Sequence, residues 1–122
     1  MPYFGRRSKE ALSTCHIDLQ RIANKAIEIV DFSVICGHRG AGAQDRAFNK
    51  GYSKVVYPNS RHNIQPSEAL DFAPYPIDWK DIERFRYQAG IMMGIAHVMG
   101  IELKWGGNWE TFKDYGHLQL GS

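Results

Sequence analysis

Hydrophobic residues at Leu19, Ile22, Ala23, Ala26, Ile27 and Val30 recur at steps of three and four, with Gln20, Arg21, Asn24, Lys25 and Glu28 in the intervals. That period puts the apolar side chains on one side of an α-helix over 19–30, with Ser13 or Thr14 as its cap. At Asp31 the period changes. Phe32, Ser33, Val34, Ile35 and Cys36 form a short run rich in β-formers and closed by Gly37, which predicts a buried strand ending beside His38 and Arg39. A shorter helix is expected over 43–50, with Gly51 where the left-handed conformation commonly ends a helix.

Residues 57–67 are rich in Pro, Asn and Ser and read as a loop, which contains His62. A short strand over 69–73 follows, stopped by Pro74 and Pro76. Asp78 is placed to cap a long helix over 79–99, with Asp81 in the capping-box position and Ile82, Phe85, Ala89, Met92, Met93 and Ala96 on one face. The methionines on that face are core filler. Gly100 ends the helix. A strand over 101–105, a loop over 106–115 and a final strand over 117–120 complete the chain. In the last strand His117 and Gln119 share one face and Leu118 and Leu120 the other. With no internal repeat and no linker, the expectation is a single α+β domain, helices packed against a small, mainly antiparallel sheet.

Composition agrees with one packed core, since 43% hydrophobic and 23% charged residues lie well away from the disordered class. Fifteen Lys and Arg against thirteen Asp and Glu leave a net charge of +2. The basic residues are spread out except for Arg6, Arg7 and Lys9, read as a solvated N-terminal segment. A nucleic-acid interface would need a basic stripe set with aromatics, so none is expected. No apolar run approaches the roughly 18 residues of a membrane span, and the N-terminus lacks the apolar stretch of a signal peptide. Synthesis in a host cytoplasm without an export signal is expected. Cys15 and Cys36 lack metal-ligand spacing and are expected to be buried free thiols.

The polar residues His62, Asp71, Asp114 and His117 all fall on loops or at strand ends, where a rigid scaffold presents side chains. A catalytic zinc site takes three protein ligands, commonly His nitrogens and a carboxylate, and leaves one position open. Two His and one Asp meet that requirement, and Asp114 lies close enough to His117 to serve the same site as a base. Spacing by itself leaves these residues as readily surface histidines and turn-forming aspartates. His16 and His97 fall within helices as packing or surface residues, and nothing assigns His38 a role.

The motifs Ser60-Arg61-His62, Ala69-Leu70-Asp71, Trp105-Gly106-Gly107-Asn108-Trp109 and Asp114-Tyr115-Gly116-His117 together resemble the zinc D-alanyl-D-alanine carboxypeptidase family. The branch most similar is that of the L-alanyl-D-glutamate endopeptidases used as bacteriophage endolysins. The likeness runs over nearly the whole chain, taking in Gly37-His38-Arg39, Pro74-Tyr75-Pro76-Ile77-Asp78-Trp79 and the long helix. Two departures stand out: His62 and Asp71 are nine positions apart, more than in the wider family, and Asn108 stands where relatives often carry Asp.

The resemblance implies that His62, Asp71 and His117 hold one Zn2+ in a surface cleft, that Asp114 is the catalytic base and that Arg39 stabilises the anion developing on the scissile carbonyl. Ser60 would hydrogen-bond within the site or cap a turn. Residues 1–122 would form a single zinc peptidase catalytic domain without a separate wall-binding domain. Its implied substrate is bacterial peptidoglycan, cut at the L-alanyl-D-glutamate bond or, as the second choice, at the terminal D-alanyl-D-alanine bond. A monomer is expected, acting at the cell wall or periplasm and dependent on a holin or similar pore for access. The rivals are a cysteine amidase or peptidase using Cys36 with His38 or His62, and a non-catalytic wall-binding module with a structural metal.

Overall fold

The computed structural model describes residues 2–121. The chain opens with a helix that the hydrophobic period does not announce, α1 (Arg6–Ser13). Only Ser8 and Leu12 of this helix are buried, so its apolar stripe is too sparse to read. Arg6, Arg7 and Lys9 are exposed on it, solvated as expected but helical. Because α1 runs to Ser13, Thr14 closes that helix, its Oγ1 donating to the carbonyl of Ala11 at 2.7 Å. It therefore cannot cap the next one. Helix α2 (Ile17–Ala26) is capped by His16, whose Nδ1 accepts from the amide of Asp18 at 3.0 Å.

Strand β1 (Phe32–Cys36) leads to α3 (Ala41–Asn49), and Gly51 takes the expected left-handed conformation at φ 80°. Strand β2 (Ala69–Pro74) is followed by α4 (Ile82–Met99), which begins three residues later than the sequence suggests. Asp81 is its cap, accepting from the amide of Arg84, while Asp78 caps a separate turn through the amide of Lys80. The freed Trp79 ring stacks on Phe85 with centroids 5.6 Å apart. Strands β3 (Leu103–Trp105) and β4 (His117–Leu120) end the chain.

The four strands lie in the order β1-β2-β4-β3, each pair antiparallel. Leu70 opposes Leu118 and Asp71 opposes His117. Side chains alternate across a strand, so this register sends Leu70, Phe72 and Leu118 to one face and Asp71, His117 and Gln119 to the other. The first face carries the core. Phe72, Leu70 and Leu118 meet Phe85, Ala89, Met92 and Ala96 of α4, with Leu19, Ile22, Ala23 and Ala26 of α2 beyond. The second face is largely covered, with His117 buried and Asp71 and Gln119 half-buried, and one sheet thus has an oily side and a polar side. Among the described residues no helix is long and apolar enough to cross a membrane.

Phe72 is fully buried at the sheet–helix boundary. Its truncation to Ala is expected to lower unfolding free energy by about 3–5 kcal/mol, read as a fall in the urea midpoint at unchanged slope. A loss under about 1 kcal/mol would show that the β2–α4 contact is not a core contact.

Candidate metal centre

His62 reaches the sheet from a single 3-10 turn, Arg61–Asn63. Ser60 fixes that turn: its Oγ accepts from the amide of His62 at 3.1 Å, while its own amide donates to Asn63 Oδ1 at 3.0 Å. Ser60 therefore caps the turn that carries the histidine. The turn is stitched to the end of β1, where the amide of Arg39 donates to the carbonyl of His62 at 2.7 Å and Asn63 Nδ2 donates to that of Arg39 at 3.1 Å. Asp71 and His117 face each other across the β2–β4 pair. The structure thus brings His62, Asp71 and His117 together from three separate segments.

The ring nitrogens reveal what this cluster is suited to hold. His62 Nδ1 lies 2.7 Å from the carbonyl oxygen of Gly37, and a carbonyl can only accept, so Nδ1 carries the hydrogen. In the neutral ring, Nε2 then presents a lone pair toward Asp71 Oδ1 at 3.1 Å. His117 repeats the arrangement, with Nε2 donating to Gln119 Oε1 at 2.9 Å and Nδ1 facing the same Asp71 oxygen at 3.2 Å. Two lone pairs and a carboxylate oxygen repel one another unless a cation lies among them. An imidazole whose outer N–H is engaged by a carbonyl or amide oxygen while its inner nitrogen stays free is the usual arrangement around a bound metal. The donor set therefore fits a metal ion.

A second proton on a ring can take the cation's place, and charge and burial describe the cluster in that protonated form. Burial disfavours the Asp71 anion, but the charges and hydrogen bonds of His62 and His117 outweigh it and hold its carboxyl well below the usual range. Burial likewise opposes the His117 cation, and the hydrogen bond and charge of Asp71 overcome it, so His117 is raised. Asp114 is pushed up by burial and by the charge of Asp71, against a smaller opposing pull from His117. Asp71, Asp114 and His117 offer ligand atoms within 4.8 Å of one another, as do Cys36, His62 and Asp71. Asp114 thus sits beside the His62, Asp71 and His117 cluster, on the side of His117.

Tight packing holds Asp114 there. The amide of Asp114 donates to the carbonyl of Gly106 at 3.2 Å, and the amide of His117 to that of Asp114 at 3.3 Å. A Cβ on Gly106 would overlap the Asp114 carbonyl and come within 3.2 Å of His117 Cβ. Trp105 Nε1 donates to the carbonyl of Tyr115 at 2.8 Å, and the Trp109 ring lies 5.0 Å from that of His117. The Trp-Gly-Gly-Asn-Trp stretch is therefore the floor beneath the Asp114–His117 turn, a part that spacing did not assign. Gly37 and Gln119, which orient the two rings, were also missed. Gln119 was legible in principle, being on the same strand face as His117.

The cluster lies between two lobes of an open cleft. One, of about 250 Å³, is lined by His62, Trp109, Asp114, His117 and Gln119. The other, of about 670 Å³, is lined by Ile35, Phe72, Trp79, Gly116 and Asp71. Arg39, Tyr52, Phe112 and Asp114 line both. Arg39 Nε is buried without a hydrogen-bond partner among the described residues. His16 is spent as a helix cap and His97 is exposed in the last turn of α4.

Cys36 differs from expectation. A bulge after Val34 shifts the β1–β2 register so that Cys36 opposes Asp71. It is half-buried at the cleft instead of inside the core, whereas Cys15 is buried; both are free. Burial and the Asp71 charge push the Cys36 thiol up to about 11, and burial takes Cys15 to about 12. A thiol with a raised pKa stays protonated until the pH approaches that value, so neither is an activated nucleophile at neutral pH. Iodoacetamide at pH 8 is expected to label both thiols at least about tenfold more slowly than free cysteine, with Cys36 ahead of Cys15, and labelling should accelerate toward pH 11. Rapid labelling of Cys36 at pH 7 would revive the cysteine reading.

Comparison with known proteins agrees with this geometry. Residues 1–119 match the family described as phage L-alanyl-D-glutamate peptidase. The chain is 32% identical over 117 residues to the L-alanyl-D-glutamate peptidase of Escherichia phage T5, covering 92% of this chain and 85% of that one. It is 33% identical over 113 residues to the peptidoglycan L-alanyl-D-glutamate endopeptidase CwlK of Bacillus subtilis, covering 80% of this chain and 64% of that one. The crystal structure of the Serratia marcescens L-Ala D-Glu endopeptidase ChiX is similar with a TM-score of 0.83 at 31% identity, over 98% of this chain and 90% of that one.

Proposed function

This chain belongs to the phage L-alanyl-D-glutamate peptidase family, and on that footing we propose that it hydrolyses the L-alanyl-D-glutamate bond of peptidoglycan stem peptides as an endolysin-like zinc peptidase. His62, Asp71 and His117 are the metal ligands in this reading. The observation that carries it is the convergence of two oriented imidazole lone pairs on one Asp71 oxygen. Two nitrogens and a carboxylate oxygen are the donor set expected of a catalytic zinc.

His62, Asp71 and His117 would hold the zinc, which would supply Lewis-acid polarisation of the scissile carbonyl and lower the pKa of an attacking water. Asp114, raised by burial and by the Asp71 charge, takes the proton from that water as general base and passes it to the departing nitrogen. Arg39 lines both lobes and has a buried Nε–H with no hydrogen-bond partner among the described residues. In this reading its guanidinium donates to the oxyanion that forms on the carbonyl, an interaction stronger in the transition state than with the neutral amide. Trp109 against the His117 ring excludes water from one side of the ligand. All of this chemistry sits in one domain, which we take to act as a monomer at the wall, with a holin or similar pore providing access.

A strong chelator is expected to abolish hydrolysis and added zinc to restore it; activity surviving metal removal would sink the metallopeptidase reading. Asp114→Asn should retain one zinc per chain by elemental analysis yet lose about 10²–10⁴-fold in kcat. Mass spectrometry of digested peptidoglycan should show new L-alanine carboxyl termini. Release of D-alanine alone would assign the carboxypeptidase activity instead.

A further inference from the structure

The proposed mechanism leaves one charged side chain of the smaller lobe without a role. Lys54 lines that lobe together with His62, Asp114 and His117. Among the described residues no carboxylate pairs with it, and its ammonium lies 5.1 Å from the centroid of the Phe112 ring. The neighbouring cations are committed elsewhere. Arg61 is ion-paired to Glu68 at 2.9 Å, and Lys113 Nζ donates to the carbonyl of Trp109 at 2.7 Å. Arg39 is assigned to the oxyanion.

Lys54 is also held in place from both sides. Gln44 has no exposed surface, and its Nε2 donates to Ser53 Oγ at 2.9 Å and to the carbonyl of Val55 at 2.8 Å. These are the residues flanking Lys54. Gln44 Oε1 in turn accepts from Asn63 Nδ2 at 3.2 Å, next to His62. A buried amide with both polar atoms hydrogen-bonded in this way fixes where an exposed loop emerges relative to His62. From the opposite wall comes Phe112, at φ 33°, a left-handed conformation that bulky side chains avoid and that concentrates at functional sites. Its ring attracts the ammonium but leaves the N–H donors free for another partner.

We propose that Lys54 recognises the free carboxylate of the glutamyl residue that follows the scissile bond, making the enzyme selective for glutamate over its carboxamide. The proposal rests on the L-alanyl-D-glutamate reading above and adds the specificity determinant. A glutamyl residue has two carboxyl groups and the onward chain uses one. Whichever is used, a negative charge remains within a few bonds of the nitrogen released. In the lobe beside His62 and His117, Lys54 is the cation positioned to meet it, and a carboxylate on an ammonium forms a charge-assisted hydrogen bond that a neutral amide cannot match.

The test compares zinc-loaded wild type, Lys54→Met and Lys54→Arg on two synthetic stem peptides that differ only in that carboxyl being free or a carboxamide. Wild type should favour the carboxylate by about tenfold or more in kcat/KM, chiefly through KM, and the preference should shrink with added salt. Lys54→Met should bring the ratio close to one, and Lys54→Arg should restore most of it. A wild-type ratio of one, or a preference that Lys54→Met leaves intact, overturns the proposal. Product masses keep the two readings apart. Cleavage after L-alanine with an unchanged ratio defeats the Lys54 assignment alone, and no cleavage there defeats both.

Discussion

Asp71 Oδ1 faces the inner nitrogens of two imidazole rings at once, at 3.1 and 3.2 Å, and each ring has its hydrogen committed to an oxygen on its far side. Everything else near the cleft serves that unfavourable meeting of lone pairs. The Gly37 carbonyl and the Gln119 amide oxygen choose the tautomers. The capped turn at Ser60 delivers one ring, and the β2–β4 register delivers the other. Folding free energy from the oily face of the sheet holds together, on the opposite face, groups that would otherwise separate. A cation bound there would meet a site already assembled.

Close backbone approach is the second requirement. Gly37 lies against Thr14 and the Ala11 carbonyl, so that any side chain there would push the end of β1 away from α1. Gly116 sits with its Cβ position 2.7 Å from the Phe72 carbonyl, which in turn lets its own carbonyl accept from the Phe72 amide at 2.8 Å. With Gly106 beneath Asp114, these glycines allow the segments around the cleft to pack closely. Their contribution is steric: each removes a side chain where two segments must touch.

Much of this was legible in the sequence because it obeys short-range periodicity. The strand 117–120 alternates cleanly, so the faces of His117 and Leu118 followed from period two alone, and the β1 and β2 runs were bounded by glycine and proline. What the sequence hid depends on pairs distant along the chain. Helix α1 has too few apolar residues to show a period, and its existence moved the cap of α2 to His16. The bulge that turns Cys36 toward Asp71 arises from strand pairing and leaves no local mark. Gln44 looks like any polar helical residue until its partners Ser53, Val55 and Asn63 are folded around it. The site residues were named by resemblance, and spacing could not have separated them from ordinary surface histidines.

The opposition of Asp71 and His117 across two hydrogen-bonded strands also bears on how the chain tolerates change. These residues are 46 positions apart in sequence, yet the excursion between them leaves the site and returns to it at neighbouring points. It is in effect a closed loop, anchored at both ends by one strand pair. The entropy of closing a loop grows only slowly with its length. Residues could therefore be added where that excursion crosses the surface without moving either side chain. A single residue added inside β4 would instead turn His117 into the core. Tolerance to insertion in this molecule is thus a matter of which side of a strand end the insertion falls on, with distance along the chain from the active site being a poor guide.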